Sequence, residues 1–302
     1  MTYDLIIIGA GPAGITAGIY AARKNMSLLI ITRDIGGQAS LSSDVENYTG
    51  YQFVTGMELS EKFSEHLKKF NIEVKELEAV ETIEKNGSIF DIKTDSGSYQ
   101  ARSVIITSGR IPRKLNVPGE EEFKNRGVTY CATCDGPLFA KKTIAVIGGG
   151  NSALDAVLQM IKIADKIHLI TVESELRADP VMTQKVKNNP KVIIYTNTKL
   201  QEIYGEKAVK GIKILQNGQV SDLPVGGIFI EIGSLPVSDI IKDVAKNESG
   251  EIQVNCKCET NIPGLFAAGD VTSVPAKQII VACGEGAKAS ISAFDYLSKT
   301  PD

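Results

Sequence analysis

One pattern occurs twice in this chain, and it limits the fold more than any other feature. Asp4-Leu5-Ile6-Ile7-Ile8 is an unbroken apolar run, the form a strand takes when both faces are buried. It leads into Gly9-Ala10-Gly11-Pro12-Ala13-Gly14, a helix-compatible stretch from Ile15 to Lys24, and a second apolar run, Leu28-Leu29-Ile30-Ile31. The same order returns at Thr143-Ile144-Ala145-Val146-Ile147, which leads into Gly148-Gly149-Gly150-Asn151-Ser152-Ala153, a helix to about Ile163 and the strand Ile167-His168-Leu169-Ile170. Each copy is a βαβ unit. Short strands with turn signals follow each one, at Asn86-Gly87 and Asp95-Ser96-Gly97 in the first and at Asn217-Gly218 in the second. Asn-Gly between alternating runs marks a hairpin, so each half carries a small antiparallel meander. The expected class is α/β, with two Rossmann-like nucleotide-binding domains.

The glycines have separate jobs at this spacing. Gly9 permits the tight turn, Gly11 lets the backbone approach a pyrophosphate, and Gly14 lets the helix pack on the strand. The helix N-terminus then presents N–H groups to phosphate, so Pro12 and Ala13 belong to the same candidate site. Such a motif is weak alone, but its place between a strand and a helix supplies the needed context. Gly148, Gly150, Asn151 and Ser152 form the equivalent second site. Two such units suggest FAD in one and a nicotinamide cofactor in the other, and the glycines do not say which. After the second unit, Gly264-Leu265-Phe266-Ala267-Ala268-Gly269-Asp270-Val271 reads as another strand, and a small-residue helix runs from Gly284 to Leu297. The tail is expected to complete the first sheet, making the second domain an insertion. The expected boundaries are 1–115 and 246–302 for the first domain and 116–245 for the insert, with linkers at Arg113–Gly119 and Lys246–Gly250.

The 302 residues include 33 basic and 36 acidic side chains, a formal net charge of −3. That excludes a large general attraction to nucleic acid or anionic lipid. No apolar run approaches the roughly 20 residues of a membrane helix, and the start has no basic segment ahead of its first strand. A cytoplasmic location is expected. The cysteines fall at 131, 134, 256, 258 and 283, too few and scattered for a secreted disulfide framework. Cys131-Ala132-Thr133-Cys134 can close a small-ring disulfide, and one thiol of such a pair can act as a nucleophile in exchange. Asp135 follows, where it can move a proton. The reading from another class is a zinc-stabilised binding protein using Cys131, Cys134, Cys256 and Cys258, although Cys-x-Cys lacks the usual zinc-knuckle spacing.

These segments carry a family resemblance. Gly9–Gly14, Gly36-Gly37-Gln38, Val45-Glu46-Asn47-Tyr48, Val128–Pro137, Gly148–Ser152 and Leu265–Asp270 together resemble the low-molecular-weight thioredoxin reductases, and particularly the reductase portion of the alkyl hydroperoxide reductase flavoprotein. The resemblance spans essentially the whole chain. It implies a homodimer with FAD on the first loop, its site completed by Gly36, Gly37, Gln38, Asn47, Asp270, Lys277, Gln278 and Ile279. Asp34, Gly109 and Gly269 belong to the same candidate set. The resemblance assigns Cys134 to the flavin side, Cys131 to attack on the partner's disulfide, and Asp135 to the acid–base role. It also implies rotation of the inserted domain about its two linkers.

The chain departs from the family after its second βαβ unit. Members that use NADPH carry His-Arg-Arg-x-x-x-Arg there; this chain has Thr171-Val172-Glu173-Ser174-Glu175-Leu176-Arg177. Losing two arginines and adding acidic residues disfavours the 2′-phosphate. NADH and reduced ferredoxin are therefore the expected donors ahead of NADPH. The chain begins at the first strand, so the N-terminal thioredoxin-like module of the alkyl hydroperoxide relatives is not expected. A separate thioredoxin or thioredoxin-like protein is the expected acceptor, with a glutaredoxin-like or peroxiredoxin system as the alternative.

Overall fold

The computed structural model describes residues 2–42 and 44–300; the side chains of Leu41, Asp44, Thr133 and Cys134 lie outside that description. The chain divides into two compact units, 1–111 with 235–302, and 112–234. Both boundaries fall before the expected positions, and the second does so by more. Its physical reason is that Ile241, Val244 and Ile252 are buried in the first unit's core beside Ile6, Leu29 and Val104. A chain segment committed to that core cannot belong to the insert. The two crossings, Arg110–Pro112 and Ser234–Pro236, pair as a two-stranded ribbon.

The first unit is built on a seven-stranded sheet. Its parallel part runs Glu73–Lys75, Leu28–Ile35, Thr2–Ala10 and Ser98–Ile106. Ser98–Ile106 also pairs with Leu265–Ala267 in parallel and with Ile89–Thr94 in antiparallel fashion, and Val80–Asn86 closes the meander. The opening strand shows why its sequence is apolar throughout. Leu5 and Ile7 pack with the helix-side residues Ile15, Ala17 and Ile19. Ile6 and Ile8 point the other way and pack with Phe90, Ile92 and Val104. Alternation across the strand places each set on its own face, and both faces are covered. The first helix, Pro12–Ala22, packs against the closing helix, Ile279–Leu297.

The second unit repeats the plan. Its parallel sheet runs Val128–Thr129, Ile228–Ile230, Thr143–Ile147, Lys166–Ile170 and Val192–Tyr195. An antiparallel meander of Thr198–Gly205, Val209–Gln216 and Gln219–Pro224 covers one face. Asn217 and Gly218 have φ values of 51° and 79°, so their two-residue turn has the twist that hairpins prefer. Ile144 and Val146 face the Asn151–Met160 helix, while Ala145 and Ile147 face the meander.

Glu120 anchors this unit near the cysteine pair. Its buried carboxylate accepts from Leu115 N (2.9 Å), Asn116 N (2.7 Å) and the Tyr130 hydroxyl (2.8 Å). Replacing it with alanine strands three donors at one point. Glu120→Ala is expected to cost about 3 kcal/mol, read from the urea midpoint of the purified protein, with Glu120→Gln recovering part of the loss.

Candidate active site

In the first unit, three backbone turns converge on the start of the Pro12–Ala22 helix. Gly11 is the N-cap and provides no side-chain cap, and Pro12 occupies the first helical turn, where a missing N–H costs nothing. A Cβ on Gly14 would lie 1.9 Å from the Gly9 carbonyl oxygen, and Thr107 Oγ1 braces the same place by donating to the Ile8 and Gly9 carbonyls. A Cβ on Gly11, by contrast, would meet nothing within 4 Å. The helix is thus locked to the strand on one side and open on the other. A Cβ on Gly37 would come 3.2 Å from Gly11 Cα, and one on Gly269 would come 3.0 Å from Ala13 Cβ. The Gly36–Gln38 turn and the Gly269–Asp270 loop therefore flank the open side.

The remaining candidates in this unit take distinct places. The Asp34 carboxylate accepts from Gly37 N at 3.1 Å, which shapes the turn. Asn47 donates to the Gln278 side chain at 3.1 Å; Gln278 is the N-cap of the closing helix and Ile279 its first residue. Gly109 holds a φ of 69° and accepts from Val237 N. Lys277 donates to the Thr272 and Val274 carbonyls and pairs with Glu251 at 3.3 Å, while Arg110 pairs with the same Glu251 at 2.5 Å. Burial raises the Asp270 carboxyl above its usual range, opposed by Lys277 and Arg110. A bed of bare backbone with an open face, one helix start and flanking cations suits the diphosphate and ribityl chain of FAD.

Sequence reasoning missed Glu285. Its buried carboxylate accepts from Gly269 N at 2.8 Å, so it braces the loop beside Asp270. The available signal was a lone acid in a helix otherwise made of small and apolar residues.

In the second unit, Gly148 closes the Thr143–Ile147 strand with a φ of 142°, and Gly150 caps the Asn151–Met160 helix. Asn151 accepts from Asp179 N at 2.8 Å and Arg177 N donates to Gly149 O at 2.8 Å, so the 173–179 segment lies along this loop. Ser152 is exposed on the first turn. Arg177, the surviving arginine, pairs with Glu173 at 2.8 Å. Thr171, at the strand end, is buried, and its hydroxyl accepts from Glu173 N.

The same unit holds the cysteine turn. Cys131 is disulfide-bonded, whereas Cys256, Cys258 and Cys283 are free thiols. The Cys134 side chain, expected on the flavin side, lies outside the described residues. Cys131 N donates to the Thr129 hydroxyl at 3.2 Å, and that hydroxyl donates to the buried Asp135 carboxylate. Asp135 N returns to Cys131 O at 3.1 Å. Thr129 thus couples Asp135 to the cysteine backbone. No group of three or more metal-ligating side chains occurs among the described residues. Cys258 is buried and donates to the Glu285 carbonyl at 3.6 Å.

A sequence model of the pyridine nucleotide-disulphide oxidoreductases matches residues 3–286. The chain belongs to that family. Membership of the pyridine nucleotide-disulphide oxidoreductases implies FAD and a pyridine nucleotide, and it accounts for the duplicated unit. The chain is 40% identical over 306 residues to an alkyl hydroperoxide reductase flavoprotein of Escherichia coli (strain K12), covering 99% of itself and 59% of that protein. It therefore spans little more than half the length of such relatives. The thioredoxin reductase structure from Streptococcus pyogenes MGAS5005 is 39% identical, with a TM-score of 0.92 and 99% of each chain covered. A ferredoxin-flavin thioredoxin reductase from Clostridium acetobutylicum is 30% identical, with a TM-score of 0.55 and 99% of each chain covered. This family member is thus a thioredoxin reductase-like disulphide oxidoreductase. No helix among its described residues is long and apolar enough to cross a membrane.

Proposed function

We propose that this oxidoreductase reduces the disulfide of thioredoxin or a thioredoxin-like protein through Cys131 and Cys134, with NADH as donor. The observation that carries the reading is the Cys131 disulfide on a turn whose backbone is tied, through Thr129, to the buried Asp135. FAD, held on the first glycine loop, supplies two-electron transfer between donor and disulfide. The chain's own residues do the rest. The Cys131 thiolate forms a bond to one partner sulfur as the partner's S–S bond breaks. Cys134 then closes the disulfide with Cys131 and releases the partner as a dithiol. Asp135 moves the proton that this exchange requires. A homodimer belongs to the same reading. The 40% identity to an alkyl hydroperoxide reductase supports a peroxiredoxin-system protein as the alternative acceptor.

The donor assignment rests on the Glu173–Arg177 pair. The one arginine left to meet a 2′-phosphate already faces a carboxylate, with Glu175 close by in sequence. An anaerobic titration followed at the flavin absorbance tests this. NADH is expected to bleach the flavin at concentrations roughly 100-fold below those NADPH needs, since two charge-assisted phosphate contacts are lost. Bleaching by NADPH at equal or lower concentration overturns the assignment. Bleaching by reduced ferredoxin alone supports the second donor, which the similarity to the ferredoxin-flavin enzyme favours.

A further inference from the structure

The second unit holds one carboxyl that this scheme does not use. Glu231 directly follows the Ile228–Ile230 strand, which lies between Val128–Thr129 and Thr143–Ile147. All three strands are parallel, so they end at the same edge of the sheet. One neighbour runs on through Tyr130 to Cys131, and the other runs into Gly148. Glu231 therefore stands between the disulfide turn and the second glycine loop, within a single unit. Its backbone is clamped on the glycine side. Glu231 N donates to Ile147 O at 2.8 Å, and a Cβ on Gly148 would come 2.3 Å from the Glu231 carbonyl oxygen. Its side chain reaches the other way, where the carboxylate accepts from the backbone N–H of Ala132, the residue after Cys131.

We propose that Glu231 is a positioning residue for the disulfide turn: its carboxyl holds the backbone at Ala132 and, by gaining or losing its proton, sets how much of Cys131 is present as thiolate after reduction. The inference rests on the disulfide-exchange reading above and adds to it a second proton-bearing group beside Asp135.

The electrostatics give the sign. Burial pushes the Glu231 carboxyl up to about 7; the Ala132 bond opposes the shift and Asp155, on the Asn151–Met160 helix, adds to it. The Thr143–Ile147 strand brings no titratable side chain, Val128–Thr129 ends in Thr129, and the turn itself brings Cys131 and Asp135. No cation contributes to the shift among the described residues. Below neutral pH the carboxyl is uncharged and leaves a thiolate undisturbed. Above neutral pH it carries a negative charge next to the turn, which disfavours a second one on sulfur. Full reduction of the disulfide by a two-electron reductant takes up two protons when both sulfurs end as thiols and one when one remains thiolate. Ionised Glu231 favours the first outcome and neutral Glu231 the second.

The test uses the full-length flavin-loaded protein, reduced with an immobilised phosphine. Alkylation of Cys131 by iodoacetamide is timed by peptide mass spectrometry across the neutral range. Glu231→Gln removes the charge and keeps the shape. It is expected to react about tenfold faster than wild type near pH 8 and at the same rate near pH 5.5, a thiol shift of about one pH unit. Superimposable profiles overturn the inference. An infrared difference spectrum of the wild-type protein, reduced minus oxidised, gives a second readout: a protonated-carboxyl band that changes on reduction and is missing in Glu231→Gln. No such band also overturns it. Because the reductant is chemical, this result is independent of turnover. Failure of the donor-reduced enzyme to reduce Cys131 would instead sink the disulfide-exchange reading itself.

Discussion

Cys131→Ser is expected to lower thioredoxin reduction by roughly 1,000-fold or more while leaving the protein yellow and its flavin reducible by the donor. Serine differs by one atom, so the turn should persist. The Cys131 N–H still reaches the Thr129 hydroxyl, and Asp135 N still reaches the carbonyl of residue 131. What is lost is the sulfur chemistry, because a hydroxyl neither ionises near neutral pH nor closes a disulfide. Counting thiols formed on thioredoxin, beside the bleaching of the flavin by NADH, separates the two halves of the reaction. Retention of partner reduction to within a few-fold would mean that the disulfide turn is structural and that electrons leave the flavin by another path.

The second large effect separates two glycines of one motif. Gly14→Ala puts a methyl 1.9 Å from the Gly9 carbonyl oxygen and 2.7 Å from Thr107 Oγ1, and neither is free to retreat. The first helix has to move off the sheet, at a cost on the order of 3 kcal/mol, and the protein is expected to be poorly folded and colourless. Gly11→Ala adds the same methyl to open space at a φ of −75°. Its apoprotein is expected to melt with wild-type stability. Its flavin affinity should fall roughly 100-fold, because the methyl fills the volume through which a diphosphate approaches the backbone. Melting curves of the apoproteins, together with flavin titrations, distinguish the two. Full flavin affinity in Gly11→Ala would move the cofactor away from this loop.

Much of the architecture is legible in local sequence patterns. A run such as Leu5-Ile6-Ile7-Ile8 requires burial on both faces, and a glycine loop leading into a helix-compatible stretch completes the unit. The same features at 143–153 reveal the duplication. Boundaries are less legible. The stretch from Ser238 to Ile252 is mixed in composition and carries a turn signal at Ser249-Gly250, so it resembles a linker. Ile241, Val244 and Ile252 are nonetheless core residues of the first unit. Local composition does not reveal which of two cores a short apolar segment will join, because burial is decided by contacts distant in sequence.

The roles of individual acids show the same division. The acidic pair after the second unit is visible in sequence as a departure from the NADPH pattern. That Glu173 pairs with Arg177, so that the one remaining cation is already engaged, required the fold. Asp34 lay among the candidate ligand residues, yet its carboxylate holds the Gly37 turn. Glu285 and Glu231 gave little sequence signal, since an isolated acid has no spacing or period. The sequence by itself determined the duplicated βαβ plan, the two glycine loops and the cysteine pair, because these are written in contiguous residues obeying local stereochemistry. Only the tertiary structure decided which carboxyl meets which backbone N–H. Those partners lie as far apart as Glu231 and Ala132, and the strand order alone brings them to one edge.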